Sequence, residues 1–345
     1  MSTTSTFVPK PVQEQVDNGE EFSDRYIYKG LDAGTVGACF PLGDIPTIDL
    51  QKLSFSSPER DDELRNLKSA LSCWGCFQAV NHGMATSLMD EMREATKAFF
   101  ATPKEEKLKY ARPEKMFEGY GNDMILSEEQ ALDWTDRLYL TVIPKSQRKL
   151  KYWPRSPPNF RDVLNEYAKN IEQIGAVVCK SMAVSLGLDE NCFLEMYGKV
   201  PKMYARFNFY PPCPRPDLAL GVKPHTDKSA LTILLQDKNV EGLQVQRDNQ
   251  WFRVPTIRNA LLINVGDQIE IMSNGNFRSV VHRVTANATR ERISLAVFCM
   301  PDRESEVGPA AGLVDENRPM LYKKVRNYYQ QYKPGQKTFD AAKIL

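Results

Sequence analysis

PHTDKSALTILL, Pro224 to Leu235, sets a polar triplet, His225-Thr226-Asp227, directly before an apolar run. The run is short and rich in Leu, Ile and Thr, so it reads as a β-strand with the triplet at its mouth. It belongs to a series. MYARFNF (203–209), GLQVQ (242–246), WFRV (251–254), ALLINV (260–265), SVVHRV (279–284) and RISLAVFC (292–299) have the same texture, each bounded by Gly, Asn, Asp or Pro. RDNQ (247–250) has the chemistry of a hairpin turn, and SNGN (273–276) carries an Asn-Gly turn dipeptide. Many short strands without intervening helices predict an antiparallel sandwich or barrel, such as a jelly roll.

Upstream of Met203 the pattern is different. PTIDL (46–50) and CFQAV (76–80) read as strands, the second running into an NHG turn. A helix is expected from Ser57, with Pro58 at its first position and Leu64, Leu67 and Leu71 on one face. A second has Thr86 or Ser87 as N-cap and a stripe of Leu88, Met92, Ala95 and Phe99, and KEEKLKY restarts a helix after Pro103. A longer helix follows Pro157–Asn159, with Val163, Tyr167, Ile171, Ile174, Val178 and Met182 as its stripe and Gly187 as its stop. Leu321, Val325, Tyr328 and Tyr332 predict an amphipathic helix near the C-terminus, ahead of Pro334 and Gly335. The expected class is α+β with a mainly β core. Residues 1–200 form a mainly helical region with a few strands, the first 45 an arm on the body. Residues 201–301 form the β core, and 302–345 a segment able to act as a lid.

The bulk properties narrow the function. Of 345 residues, 42% are hydrophobic and 26% charged, the profile of an ordinary globular protein. A net charge of +1 without a basic stripe argues against nucleic acid as the partner. No apolar run reaches the roughly 18 residues of a membrane span. MSTTSTFVPKPVQEQ lacks the apolar region of a secretory signal, and seven scattered cysteines fit reduced thiols in the cytoplasm.

The chain has three histidines. His225 and Asp227, two apart, would share one face of a strand, and His282 lies inside another expected strand. Two imidazoles and a carboxylate form a facial set that suits non-haem Fe(II), while the same set with a water makes a catalytic zinc site. A lone His-x-Asp also arises by chance. Arg292 and Ser294 decide between these readings. A guanidinium beside a hydroxyl, in the otherwise apolar strand RISLAVF, is costly to bury unpaired and matches a carboxylate. The bland alternative is a structural ion pair or an edge arginine. Beside a facial metal, a carboxylate anchor points instead to a 2-oxo acid that chelates iron. Three other features carry less. Cys73-x-x-Cys76 has no second ligand pair, His82 reads as a turn residue, and GYGND (119–123) lacks the context of a phosphate loop.

NFYPPCPRPDLALGVKPHTD, INVGDQIEIMSNG, SVVHRV and ERISLAVFC together resemble the plant soluble Fe(II)/2-oxoglutarate-dependent dioxygenases, the group of anthocyanidin synthase and flavonol synthase. The likeness runs from about Pro46 to Pro301 and includes PTIDL and WGCFQAVNHG. It is similar in texture to the flavonoid hydroxylase, O-demethylase and norcoclaurine-synthase-like group. The resemblance implies a distorted double-stranded β-helix flanked by helices, with His225, Asp227 and His282 as iron ligands. Arg292 and Ser294 would grip the distal carboxylate of 2-oxoglutarate, with Asn208 and Tyr210 in contact with it. Dioxygen is the cosubstrate, ascorbate the expected reductant, and a monomer the expected state. The implied reaction hydroxylates, or oxidatively O-demethylates, a small aromatic metabolite such as a flavonoid, coumarin or alkaloid, while 2-oxoglutarate goes to succinate and carbon dioxide. Arg206, Phe298 and Met300 would flank the iron, with Met124, Arg137 and Tyr139 as further pocket residues and Tyr328 and Tyr329 on a lid. The alternatives are a metal-dependent condensing enzyme or lyase of the norcoclaurine-synthase-like type, or a non-catalytic ligand-binding homologue.

Overall fold

The computed structural model describes residues 10–54, 57–114, 116–122, 130–328 and 342–344. In the N-terminal part, β1 (Thr47–Asp49) and β2 (Cys76–Val80) pair in parallel. β3 (Gly119–Gly121) and β4 (Asp136–Ile143) form an antiparallel pair. The later strands are β5 (Lys202–Tyr210), β6 (Leu220–His225), β7 (Leu231–Gln236), β8 (Leu243–Arg247), β9 (Gln250–Arg253), β10 (Leu261–Val265), β11 (His282–Thr285) and β12 (Arg292–Met300). They divide between an eight-stranded sheet, β1-β2-β10-β7-β12-β5-β4-β3, and a four-stranded one, β6-β11-β8-β9. From β5 to β12 the chain passes back and forth between the sheets, the double-stranded β-helix arrangement. Between the sheets lie Tyr210, Leu234, Val245, Leu262, Val284 and Ala296.

The helices are α1 (Val12–Asp17), α2 (Arg60–Cys73), α3 (Thr86–Phe100), α4 (Lys104–Leu108), α5 (Phe160–Ser185), α6 (Cys192–Met196) and α7 (Asp267–Met272). Of these, α2, α3 and α5 pack on the outer face of the large sheet. α5 packs on α2, α3, β4 and β7. Every member of its expected stripe, Val163 through Met182, is buried. Phe160 meets Phe207 of β5 with ring centroids 5.3 Å apart, so tertiary packing rather than propensity holds this helix. None of the described helices is long and apolar enough to cross a membrane.

The later part of the arm, Asp32 to Leu42, lies on the small sheet. Arg283 of β11 is fully buried and donates to Gln244, to Thr35 and, at 2.9 Å, to Asp32. Its guanidinium also stacks 4.1 Å from the Trp251 ring, and Trp251 donates to the same Asp32 carboxylate.

Several expectations change. His225 ends β6 instead of opening the next strand, and Asp227 sits in the loop before β7. The i,i+2 strand argument therefore fails, because the strand ends at His225 and Asp227 lies beyond it. α2 begins at Arg60, with Ser57–Glu59 as a turn in which the Ser57 hydroxyl accepts from the Glu59 amide. No side chain caps α3, whose N-cap position is Ala85. SNGN closes α7, with Asn274 and Gly275 at positive φ, and joins no hairpin; RDNQ does, with Asp248 and Asn249 at positive φ between β8 and β9. Through Tyr328 the C-terminal segment holds turns, a 3-10 turn at Ala311–Leu313 and two short strands, and no α-helix. β13 (Glu306–Val307) pairs with β14 (Val325–Arg326), so ribbon pairing overrides the helical spacing there, while Tyr332 lies outside the described residues. β4 was not expected at all.

Candidate active site

Cross-strand pairing sets the first two groups. His225, last in β6, stands opposite His282, first in β11, with ring centroids 4.2 Å apart. Asp227 reaches in from the loop, its Oδ1 3.7 Å from His225 Nε2 and 3.6 Å from His282 Nε2. The three ligand atoms all lie within 4.8 Å of one another. Both Nδ1 atoms face backbone carbonyls, Lys223 at 2.7 Å and Val280 at 3.1 Å. That contact makes each Nδ1 the protonated nitrogen and leaves both Nε2 lone pairs aimed at one point.

Electrostatics favour a cation there. Burial, then the neighbouring His282, pushes His225 down to about 4, so its imidazole is neutral at pH 7 and free to act as a ligand. Asp227 is held below the usual carboxylate range. Burial opposes this, but the two imidazoles and hydrogen bonds from Thr232 and Asn264 outweigh it. Its Oδ2 is buried without a hydrogen-bond partner. A buried carboxylate oxygen with no donor, beside two aligned lone pairs, fits a divalent metal.

The second constellation lies on the inner face of the large sheet. In the β5–β12 register Arg292 faces Tyr210 and Ser294 faces Asn208, which gathers all four sequence-derived residues into two adjacent pairs. Asn208 Nδ2 donates to Ser294 Oγ at 3.1 Å, and Arg206 Nε donates to Asn208 Oδ1 at 2.7 Å. Arg292 is 2% exposed, and its Nε donates to the Val240 carbonyl. Its two terminal nitrogens are buried with no partner. A planar fork left bare in the interior is matched by a bidentate carboxylate.

The remaining pocket residues are brought together along β4, β5 and β12. Tyr139 stacks on Phe298 at 6.1 Å and tilts against Tyr204 at 5.7 Å, while Arg137 lies 5.4 Å from the Tyr139 ring. Tyr139, Tyr204 and Met300, with Phe117 and Tyr328, wall a narrow cleft. Met124 and Tyr329 lie outside the described residues. Reading the sequence missed Phe117, Tyr204, Thr232 and Asn264. The last two had a signal, since each is a polar residue inside an apolar strand run, LTILL and LLINV. His82 is a turn residue, its ring bonded to the Asn259 carbonyl and the Met84 amide, and the seven cysteines are all free.

Residues 201–301 match the 2OG-Fe(II) oxygenase superfamily, and 45–161 match the N-terminal region described as non-haem dioxygenase in morphine synthesis. The lateral branching oxidoreductase 1 of Arabidopsis thaliana is 42% identical over 87% of this chain and 85% of its own. The chain belongs to the 2OG-Fe(II) oxygenase superfamily. Codeine O-demethylase of Papaver somniferum is likewise 42% identical, over 82% of this chain and 79% of its own. The crystal structure of JOX2 in complex with 2OG, Fe and JA superposes with a TM-score of 0.89 at 33% identity, covering 98% of this chain and 99% of that one. The protein is thus a plant-type dioxygenase, an oxidoreductase that uses Fe(II) and 2-oxoglutarate on a small molecule, with the double-stranded β-helix of its relatives. Flavonol synthase and demethylases among those relatives favour this reading over a condensing enzyme, a lyase or a silent binding protein.

Proposed function

We propose that His225, Asp227 and His282 hold the iron, that Arg292, Ser294, Asn208 and Tyr210 hold 2-oxoglutarate, and that the aromatic cleft takes a flat plant metabolite for hydroxylation or O-demethylation. The observation that carries the reading is the bare Arg292 guanidinium, buried on the sheet face that looks toward the triad. Iron(II) with 2-oxoglutarate and dioxygen supplies the oxidation of a C–H bond, with succinate and carbon dioxide as the other products. The chain does the rest. The carbonyls of Lys223 and Val280 keep both histidines in the ligating tautomer, and Asp227 offsets half of the metal's charge. Arg292 and Ser294 receive the distal carboxylate, and the Tyr210 ring, 5.2 Å from the guanidinium, closes it from water.

Tyr139, Tyr204 and Phe298 offer ring faces and edges that orient a flat substrate, with Met300 an adaptable wall and Arg206 and Arg137 at the polar side. The related proteins include a codeine O-demethylase, a flavonol synthase and a flavonoid 7-O-demethylase, which supports an alkaloid or flavonoid substrate. The chain is read as a cytoplasmic monomer, with ascorbate keeping the metal reduced. The test is succinate formation by purified protein with Fe(II), ascorbate and 2-oxoglutarate across flavonoids, coumarins and alkaloids. Aromatic substrates should raise succinate release and yield a hydroxylated or demethylated product. No stimulation by any member of a broad panel would sink the substrate class.

A further inference from the structure

We infer that Asp267 and Tyr328 are a positioning pair that ties the wall of the substrate cleft to both ligand-bearing segments. The inference rests on His225, Asp227 and His282 being the metal ligands. Asp267 opens α7 and is 1% exposed. Its amide donates to the carbonyl of Asp227 at 2.8 Å. Its Oδ1 accepts from Ser279 Oγ at 2.7 Å, in the segment that leads into His282. Its carboxylate also takes the hydroxyl of Thr226, the residue between His225 and Asp227. One buried acid therefore reaches the ligand loop after β6 and the approach to β11.

The fourth contact points the other way. Tyr328 Oη donates to Asp267 Oδ2 at 3.0 Å, and Tyr328 is itself part of the cleft wall. A buried carboxylate that loses one of its donors is left with a bare oxygen and turns toward those that remain. Here those are Ser279 and Thr226, so a change at Tyr328 is passed to the ligands without touching them. Tyr322 provides an internal comparison. It makes the same kind of bond, to Glu270 at 2.8 Å, in the same C-terminal segment. Glu270 reaches the Ser279 amide but neither Thr226 nor Asp227, and Tyr322 is absent from the cleft wall.

The experiment compares full-length wild type, Tyr328→Phe and Tyr322→Phe, each losing one hydroxyl. Mn(II) affinity is measured by calorimetry without 2-oxoglutarate, and thermal midpoints monitor the fold. Groups that orient metal ligands typically change affinity by 10–100-fold, so Tyr328→Phe should weaken Mn(II) binding by roughly tenfold. Tyr322→Phe should keep wild-type affinity, whatever its thermal midpoint. Substrate-free succinate formation at saturating Fe(II) should rise in Tyr328→Phe alone. Wild-type affinity in Tyr328→Phe, or equal loss in both variants, overturns the inference. A wild-type chain that binds no Mn(II) is a distinct result, which removes the ligand assignment and this inference with it.

Discussion

Along β4, β5, β7 and β12, Leu138, Phe207, Ile233, Leu295 and Val297 face the helices, while Arg137, Asn208, Thr232, Ser294 and Phe298 alternate with them and face the small sheet. The two faces obey different rules. The helix side is closed by dispersion and burial, and any residue of the right size and apolarity serves it. The inner side holds polar groups that the chain itself leaves incomplete: Asp227 Oδ2, the Arg292 terminal nitrogens, Gln236 Oε1 and Asn264 Oδ1. Such groups are costly in a fold that never binds a ligand. On the large sheet one side serves stability, and the other turns its polar groups toward the small sheet, which carries His225 and His282.

The comparison breaks most sharply at the triad. His225→Ala or Asp227→Ala should bring succinate formation to background while the thermal midpoint stays near wild type. Residual turnover in either would reject the metal assignment. Arg292→Ala removes two charge-assisted hydrogen bonds worth about 1.5–3 kcal/mol each, so the 2-oxoglutarate KM should rise by about 100-fold or more. An unchanged KM in steady-state kinetics would rule out the anchor. On the other face, Phe207→Ala should cost about 3–5 kcal/mol in denaturant unfolding yet leave both KM values untouched in the folded fraction. A smaller effect is expected at Tyr139→Ala. Ring contacts are worth about 0.5–1.5 kcal/mol, so the aromatic substrate's KM should rise by up to about tenfold while the 2-oxoglutarate KM holds.

Asp136 is an exception on the helix side, and it sharpens the rule. It faces Phe209 in register and accepts from the Val12 and Gln13 amides at 2.7 and 2.8 Å, which fastens α1 to β4. Burial, against the pull of those amides, pushes its carboxyl up to about 6 from 3.8. The fold therefore prefers the protonated acid. Its contribution is complete below the unfolded pKa of about 4 and is lost as the pH rises through about 6. Asp136→Asn should flatten the pH dependence of stability across that window, and an unaltered slope would show that the group titrates normally.

The sequence made the β core legible because its strands are short, β-branched and cut by strong turn signals, and the helices because their stripes are long. The chemistry was legible because its residues are few and odd in their settings, such as Arg292 at the head of an apolar strand. Where reading failed, period and pairing were in competition. The apolar SALTILL drew the strand toward Asp227, although LGVKPH, with its Gly and Pro, is the strand that ends on His225. Val325 and Tyr328 have helical spacing, yet Val325 pairs with Val307 across the chain, which local periodicity cannot reveal. In β4, Leu138, Leu140 and Val142 alternate with Arg137, Tyr139 and Thr141, a period-two signal masked by the charged opening Asp136-Arg137. The cleft draws its walls from separate stretches of chain, and no single motif encodes it.

Alternation in β11 has one more consequence. His282 and Arg283 are neighbours in sequence and opposites in space, one turned to the metal site and the other to Asp32, Thr35 and Trp251 in the arm's embrace. Because both hang from one short stretch of backbone, a boundary drawn around the β core would cut a brace belonging to the iron-bearing strand. An engineer who trimmed the arm as dispensable would then see the damage appear as a loss of metal.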